Sequence, residues 1–144
     1  MVGAMGGPSS EVESSVLIVV VEDNDDDARL TTRALKQLSP RPLITLVEDG
    51  AKAIELLTGP EALKPDLILL DLKLPKVNGL EVLKEVKEDK IVGATPVIVL
   101  TSSDEPSDVS RARELGCVEY LCKPVDWREY LSLVSETVTR CLPS

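Results

Sequence analysis

The residues able to do chemistry in this chain are a few carboxylates, hydroxyls and one lysine, each standing where a short apolar run ends. In DLILLDLKLPK (66–76) the run Leu67 to Leu70 stops at Asp71. Four consecutive apolar residues suit a strand covered on both faces. A charge at the end of such a strand is costly unless it is paired, bound to a metal or at the strand's exposed end. Pro75 rules out a continuing central strand. Glu22 and Asp23 follow VLIVVV (16–21), Thr101-Ser102-Ser103 close PVIVLT (96–101), and Lys123-Pro124 follow VEYLC (118–122). Three acids sharing a cleft raise one another's pKa. A hard divalent cation relieves this, and Mg²⁺ binds through one or two carboxylates plus waters and phosphate oxygens. A carboxylate is also a nucleophile toward phosphorus, giving an aspartyl phosphate. The transferring group then needs positive charge and donors around its oxygens. Lys123 offers the charge and Thr101 a hydroxyl.

Other chemistries are excluded by what is missing. The 144 residues contain no histidine, which removes Ser-His-Asp and Cys-His catalysis and the usual zinc ligands. It also means that the chain cannot carry a phosphohistidine of its own. The net charge of −9 argues against nucleic-acid binding, which needs Lys/Arg patches. Cys117, Cys122 and Cys141 form no CxxC pair, and an odd count without a framework fits a reducing, cytoplasmic compartment. Cys122, among apolar neighbours, is expected as a small core residue. The longest apolar run is six residues, far below the roughly 20 a membrane helix needs. Residues 1–14 show no secretion-signal pattern and are expected to be a disordered leader or tag.

Five apolar, β-branched runs (16–21, 42–47, 66–71, 96–101 and 118–122) alternate with stretches of helical spacing. Those stretches are residues 26–38, 51–57, 80–86, 109–115 and 127–141. Runs that are apolar throughout and alternate with helices predict an α/β, doubly wound parallel sheet. Five strands in order 2-1-3-4-5 with five flanking helices are expected, forming one domain over residues 15–142. Ligands of such sheets bind beyond the carboxyl ends of the strands, at the point where strand order reverses. Glu22, Asp23, Asp71, Thr101 and Lys123 should all meet on that rim.

VVVEDN, DLILLDLKLPKVNGLEVL, PVIVLTSS and EYLCKP together resemble the receiver domain of two-component response regulators, the chemotaxis-regulator fold. The likeness spans about residues 16–140. It implies that Asp71 is the phospho-acceptor and that Glu22 and Asp23 are the acid pair holding Mg²⁺ with Asp71 and the backbone carbonyl of Lys73. It implies Thr101 as the switch hydroxyl, Lys123 as the phosphate-pairing lysine and Tyr120 as the aromatic that moves with Thr101. The positions of Lys73 and Ser103 are those that tune phosphoryl lifetime. EDN-x-x-D, VLTSSDE-x-x-D and KPVDW further resemble the stand-alone regulators of bacterial and cyanobacterial phytochromes, in which the receiver is often the whole protein and commonly dimerises. The implied partners are a sensor histidine kinase, with a bacteriophytochrome as the narrower identity, and a second copy of the chain, with no nucleic acid and no membrane. The face built from residues 109–115, the last strand and the last helix is the expected output surface.

Three alternatives stand beside this: an enzyme of one of two kinds, a pseudo-receiver, and a receiver cut from a larger regulator with its output domain missing. Haloacid-dehalogenase-type phosphatases also use a strand-end Asp with Mg²⁺, but need a second Asp where this chain has Lys73. P-loop enzymes need a GxxxxGK motif that is absent. A pseudo-receiver, a binding module that is not phosphorylated, would be expected to lack the acid pair, the acceptor or the lysine. The chain is therefore expected to be a signalling acceptor with slow self-dephosphorylation at most. Asp25, Asp26 and Asp27 are taken as acids favoured at a helix start, with Asn24 or Asp25 as its cap. Asp49-Gly50 reads as a turn into a helix. Tyr120 is either core aromatic or switch, and Trp127 is helix-start packing.

Overall fold

The strands form because each is a run rich in β-branched residues or leucine, and the central ones find helices to pack against on both faces. The structure, a computed structural model, describes residues 16–142, so the expected leader over 1–14 lies outside the described residues. The strands are β1 (Leu17–Val21), β2 (Leu43–Val47), β3 (Leu67–Leu70), β4 (Val97–Thr101) and β5 (Glu119–Cys122). The helices are α1 (Asp25–Lys36), α2 (Gly50–Leu57), α3 (Gly79–Glu88), α4 (Pro106–Glu114) and α5 (Trp127–Cys141). All pairings are parallel and the order is β2-β1-β3-β4-β5, as the alternation predicts.

Successive strand side chains point to opposite faces, and two cores result. Val19, Val21, Ile68, Leu70, Val97 and Val99 face one way, against Leu57 of α2, Leu83 of α3 and Ala112 of α4. Ile18, Val20, Leu67, Leu69, Ile98 and Leu100 face the other, against Leu35 of α1 and Tyr130 and Val134 of α5. A hydrogen bond between Thr31 and Tyr130, 2.9 Å, ties α1 to α5 inside that second layer. Among the described residues no helix is long and apolar enough to cross a membrane.

Side-chain caps set the helix starts. Asn24, Asp49 and Asn78 each accept a hydrogen bond from the backbone N–H three residues on, and Asp126 accepts from Arg128 and Glu129. Each cap contributes on the order of 1 kcal/mol. α4 begins at Pro106, three residues before its apolar spacing becomes visible at Val109, because its first turn is polar. A short 3₁₀ turn, Val92–Ala94, carries no periodic signal and was not expected. Lys87 holds it in place, its ammonium donating to Gly93 O within the turn (3.3 Å) and to Thr95 O just after it (2.8 Å).

One expectation needs correction. Cys122 is exposed rather than a core residue, because β5 is an edge strand and pairs only with β4. Trp127 is 43% exposed. Its indole packs at the start of α5 against the guanidinium groups of Arg33 and Arg128, 5.2 and 4.8 Å from the ring centroid.

The glycine of Asn78-Gly79 brings α3 against the end of β3. A Cβ at Gly79 would overlap the carbonyl oxygen of Asp71 and Cα of Leu72. Gly79→Ala is therefore expected to push the α3 start off the Asp71 backbone and destabilise the fold by about 1–3 kcal/mol. Urea unfolding measures this, and an unchanged midpoint contradicts the close packing.

Candidate functional site

Ladder hydrogen bonds run past the strand ends and carry the reactive side chains with them. Glu22 N–H donates to Val47 O (2.9 Å), Asp71 N–H to Val21 O (3.0 Å) and Lys123 N–H to Thr101 O (2.8 Å). These bonds set Asp71 beside Glu22, and Lys123 beside Thr101, at the point where strand order reverses. Glu22 and Asp71 are buried, at 3% and 5% exposure, while Asp23 is exposed. Oxygens from Glu22, Asp23 and Asp71 lie within 4.8 Å of one another.

The Lys123 ammonium reaches all of its donors' worth of partners. Its Nζ is 2.8 Å from Glu22 Oε1, 2.8 Å from Asp71 Oδ2 and 2.7 Å from Asp27 Oδ2. The other Asp71 oxygen, Oδ1, accepts from the Lys73 N–H at 3.1 Å. The Thr101 hydroxyl, fully buried, lies on the same rim and helps to lower the Asp71 pKa.

These contacts divide the acids. Burial pushes the Asp71 carboxyl up, but the Lys123 ammonium, the Lys73 amide and the Thr101 hydroxyl outweigh it and hold the carboxyl below its ordinary range. Asp71 is thus an anion at neutral pH. For Glu22 burial wins: although Lys123 pulls down, burial and the Asp71 charge push its carboxyl up to about 7. Lys123 loses water by burial, yet its three carboxylates raise its pKa well above the usual lysine value, so it stays charged.

Glu22, Asp23, Asp71, Thr101 and Lys123 come together as expected. Lys73 contributes its amide to Asp71, and its side chain is exposed. Ser103 is buried but its hydroxyl turns to α4, donating to Asp108 Oδ2 at 2.6 Å. Its backbone joins two other predicted residues. Ser103 N–H approaches Thr101 Oγ1 at 3.4 Å, and the Tyr120 hydroxyl donates to Ser103 O at 2.9 Å. A connected path therefore runs from Asp71 through Thr101 and Ser103 to Tyr120. Asp27 is the residue that composition missed, since it is a partner of Lys123 as well as an acid of the first turn of α1. Its signal is the EDN-x-x-D spacing, which puts it one helical turn from Asp23. Asp108, in the DE-x-x-D stretch, is the unforeseen partner of Ser103.

Removing the ammonium leaves buried carboxylates without a counter-charge. Lys123→Met is expected to destabilise the protein by about 3–5 kcal/mol at pH 7.5 in metal-free buffer, the usual cost of breaking a buried pair. The cost should shrink at pH 5, because a Glu22 carboxyl with a pKa near 7 is then protonated and one fewer charge is left unpaired. Urea unfolding at the two pH values checks both statements; a loss that grows on acidification contradicts them.

Comparison with known proteins gives one family. Residues 18–135 match the response regulator receiver domain. The probable methanogenesis regulatory protein FilR2 of Methanothrix harundinacea is 36% identical over 93% of this chain and 88% of its own length. Response regulator Rcp1 of Synechocystis is 34% identical over 91% of this chain and 97% of its own. Among solved structures, the phosphorylated cyanobacterial phytochrome response regulator RcpA has a TM-score of 0.84 at 34% identity, covering 91% of this chain and 100% of that one. The Mn²⁺-bound form of Rcp1 gives 0.82 at 33% identity, covering 90% and 99%. With the sheet order, the carboxylate rim and these likenesses in agreement, the chain belongs to the response regulator receiver family.

Proposed function

We propose that this protein is a phosphoryl-accepting response regulator in which Asp71 is the acceptor and a histidine kinase acts in trans. The observation that carries this is the Lys123 ammonium held 2.8 Å from an ionised Asp71 that also accepts from Lys73 N–H. In the transfer, an Asp71 oxygen bonds to phosphorus as the P–N bond of the kinase's phosphohistidine breaks. The electron pair leaves on the imidazole nitrogen, which takes up a proton. Lys123, no longer needed by the neutralised Asp71 oxygen, pairs with a phosphoryl oxygen, and Thr101 donates to another.

Glu22, Asp23 and Asp71, with the Lys73 carbonyl, are the residues that would hold Mg²⁺. Three carboxylate oxygens within 4.8 Å form a hard donor set of the kind that ion prefers. When bound, Mg²⁺ supplies positive charge to the oxygens of the transferring group. Support for a divalent ion also comes from the Mn²⁺-bound form of a relative.

Signalling in this reading is a population shift. A Thr101 drawn toward the phosphoryl group pulls on Ser103, and with it on the Tyr120 hydroxyl, which biases the surface of α4, β5 and α5. Output runs through protein contacts, either a partner protein or a second copy, because a net charge of −9 disfavours nucleic acid. The likeness to the cyanobacterial phytochrome response regulator RcpA and the bacteriophytochrome response regulator RtBRR favours a phytochrome-type kinase as the donor, and the compartment is the cytoplasm. Self-dephosphorylation by water is slow, with the exposed Lys73 at the cleft mouth setting its rate. Ser103, tied to Asp108, acts on that rate only through the β4–α4 loop.

Intact-mass spectrometry after incubation with acetyl phosphate tests this. One phosphoryl adduct is expected, dependent on Mg²⁺ and absent in Asp71→Asn. In the same assay Lys73→Ala should change the decay of the adduct severalfold. A folded protein that takes no adduct in Mg²⁺ makes the chain a pseudo-receiver, and an unaltered decay removes Lys73 from rate control.

A further inference from the structure

β2 is an edge strand without the features that usually blunt one. It pairs with β1 alone, yet its five residues, Leu43–Val47, include no charge and no proline. Edges are ordinarily protected by charges, prolines or bulges, because their free N–H and C=O groups can pair with another chain. Leu43 is 59% and Leu46 46% exposed. Standing an odd number of residues apart, they lie on opposite faces of the sheet, so the edge is apolar on both. The other edge differs: β5 carries Glu119, which is paired with Arg140 at 3.2 Å.

The ladder shows which backbone groups are free. Leu43 N–H donates to Val16 O, and Val47 O accepts from Glu22 N–H. Leu43, Thr45 and Val47 therefore turn their backbone groups toward β1, and Ile44 and Leu46 turn theirs outward, where no further strand follows. Charges of both signs flank the strand. Arg41 before it and Glu48 after it are exposed, and neither makes an ion pair among the described residues. Asp49 follows, with Lys76 at 3.6 Å.

We propose that two copies of this chain join through β2, antiparallel, about a two-fold axis that passes beside Thr45. Such an axis, perpendicular to the sheet, keeps every side chain on its own face and makes the contact self-complementary. It sets Thr45 opposite its own copy, Leu43 opposite Val47 of the second copy, and Ile44 opposite Leu46. Arg41 then opposes Asp49, with Glu48 adjacent. Ile44 and Leu46, whose backbone groups point outward, exchange both N–H and C=O bonds, as a hydrogen-bonded antiparallel pair must. No neighbouring register matches this. Centring on Ile44 sets Arg41 against Val47, and centring on Leu46 sets Leu43 against Asp49. On the Leu46 face the two α1 helices run antiparallel beside the seam. The groove along α1 that includes Leu46 has Asp25 and Asp26 at one end and Lys36 and Arg41 at the other, so ends of opposite charge face each other. The seam lies at the edge remote from β5. It leaves α4, β5 and α5 open, and it does not depend on phosphorylation of Asp71.

Sedimentation of the full chain from micromolar to millimolar concentration, without metal or phosphoryl donor, tests this. A monomer–dimer equilibrium is expected. Leu46→Pro removes only an outward N–H and leaves the β1 ladder whole, so it should weaken the dimer about tenfold or more with an unchanged circular dichroism spectrum. Arg41→Glu should weaken it too, whereas Val118→Lys beside β5 should not. Thr45→Cys in a Cys122→Ser background should oxidise to a linked dimer, because a central non-hydrogen-bonded pair brings its Cα atoms to roughly 4.5 Å. Leu43→Cys in that background should not. A chain that stays monomeric throughout overturns the proposal. So does a dimer that Leu46→Pro leaves intact, which assigns association to another surface. Protection of the Leu46 amide from exchange that persists on dilution to monomer also overturns it, assigning the edge to the chain's own first 15 residues.

Discussion

One buried ammonium sets the terms for the whole carboxyl rim of this sheet. Lys123 stands within 2.8 Å of Glu22, Asp27 and Asp71, and without it three acids would crowd a site from which water is largely excluded. The cluster also dictates topology. Its members come from the ends of β1, β3 and β5 and the first turn of α1, so only an arrangement that aligns those ends satisfies the charge. The parallel order with β3 at the centre and β1 beside it does this, and it places the acids where strand order reverses. A buried ion cluster is weak evidence for stability in itself. What it secures is the position and ionisation of Asp71, the only carboxylate here that is buried and held below its ordinary pKa.

The same contacts connect the cleft to the surface. Thr101 touches Asp71 on one side and Ser103 N–H on the other, while the Ser103 carbonyl takes the Tyr120 hydroxyl and its side chain holds Asp108 at the start of α4. A displacement of Thr101 would therefore be felt by both α4 and β5. β5 is also less buried than β3 and β4: all four of its residues have some exposure, whereas all of β3 and β4 are buried. Buried strands hold Asp71, and the path from it ends on the more exposed β5.

Much of this was legible in the sequence because each part had its own signal. The apolar runs gave strands within one residue of their observed ends, since fully buried parallel strands tolerate no polar interior. Asp71 and Lys123 were visible as charges that an apolar run cannot otherwise explain. Asp27 was not, because an acid in a first helical turn already has a sufficient reason in the helix dipole; only tertiary contact reveals its second role. Cys122 misled for the opposite reason. Apolar neighbours suggest burial, but whether a strand lies at the sheet edge depends on order, which local composition does not encode. The start of α4 was hidden by a polar first turn, and the Ser103 hydroxyl's turn toward Asp108 depends on a loop conformation no spacing specifies.

The account stands most directly on where Lys123 goes when Asp71 carries a phosphoryl group. A crystal structure of the protein with Mg²⁺ and beryllofluoride, a stable mimic of that group, measures it. The account predicts beryllofluoride on an Asp71 oxygen and the Lys123 ammonium within hydrogen-bond distance of a fluorine, with Thr101 drawn toward the adduct. An unmodified Asp71 with Lys123 still on all three carboxylates, in protein shown to be folded and Mg²⁺-loaded, would contradict it.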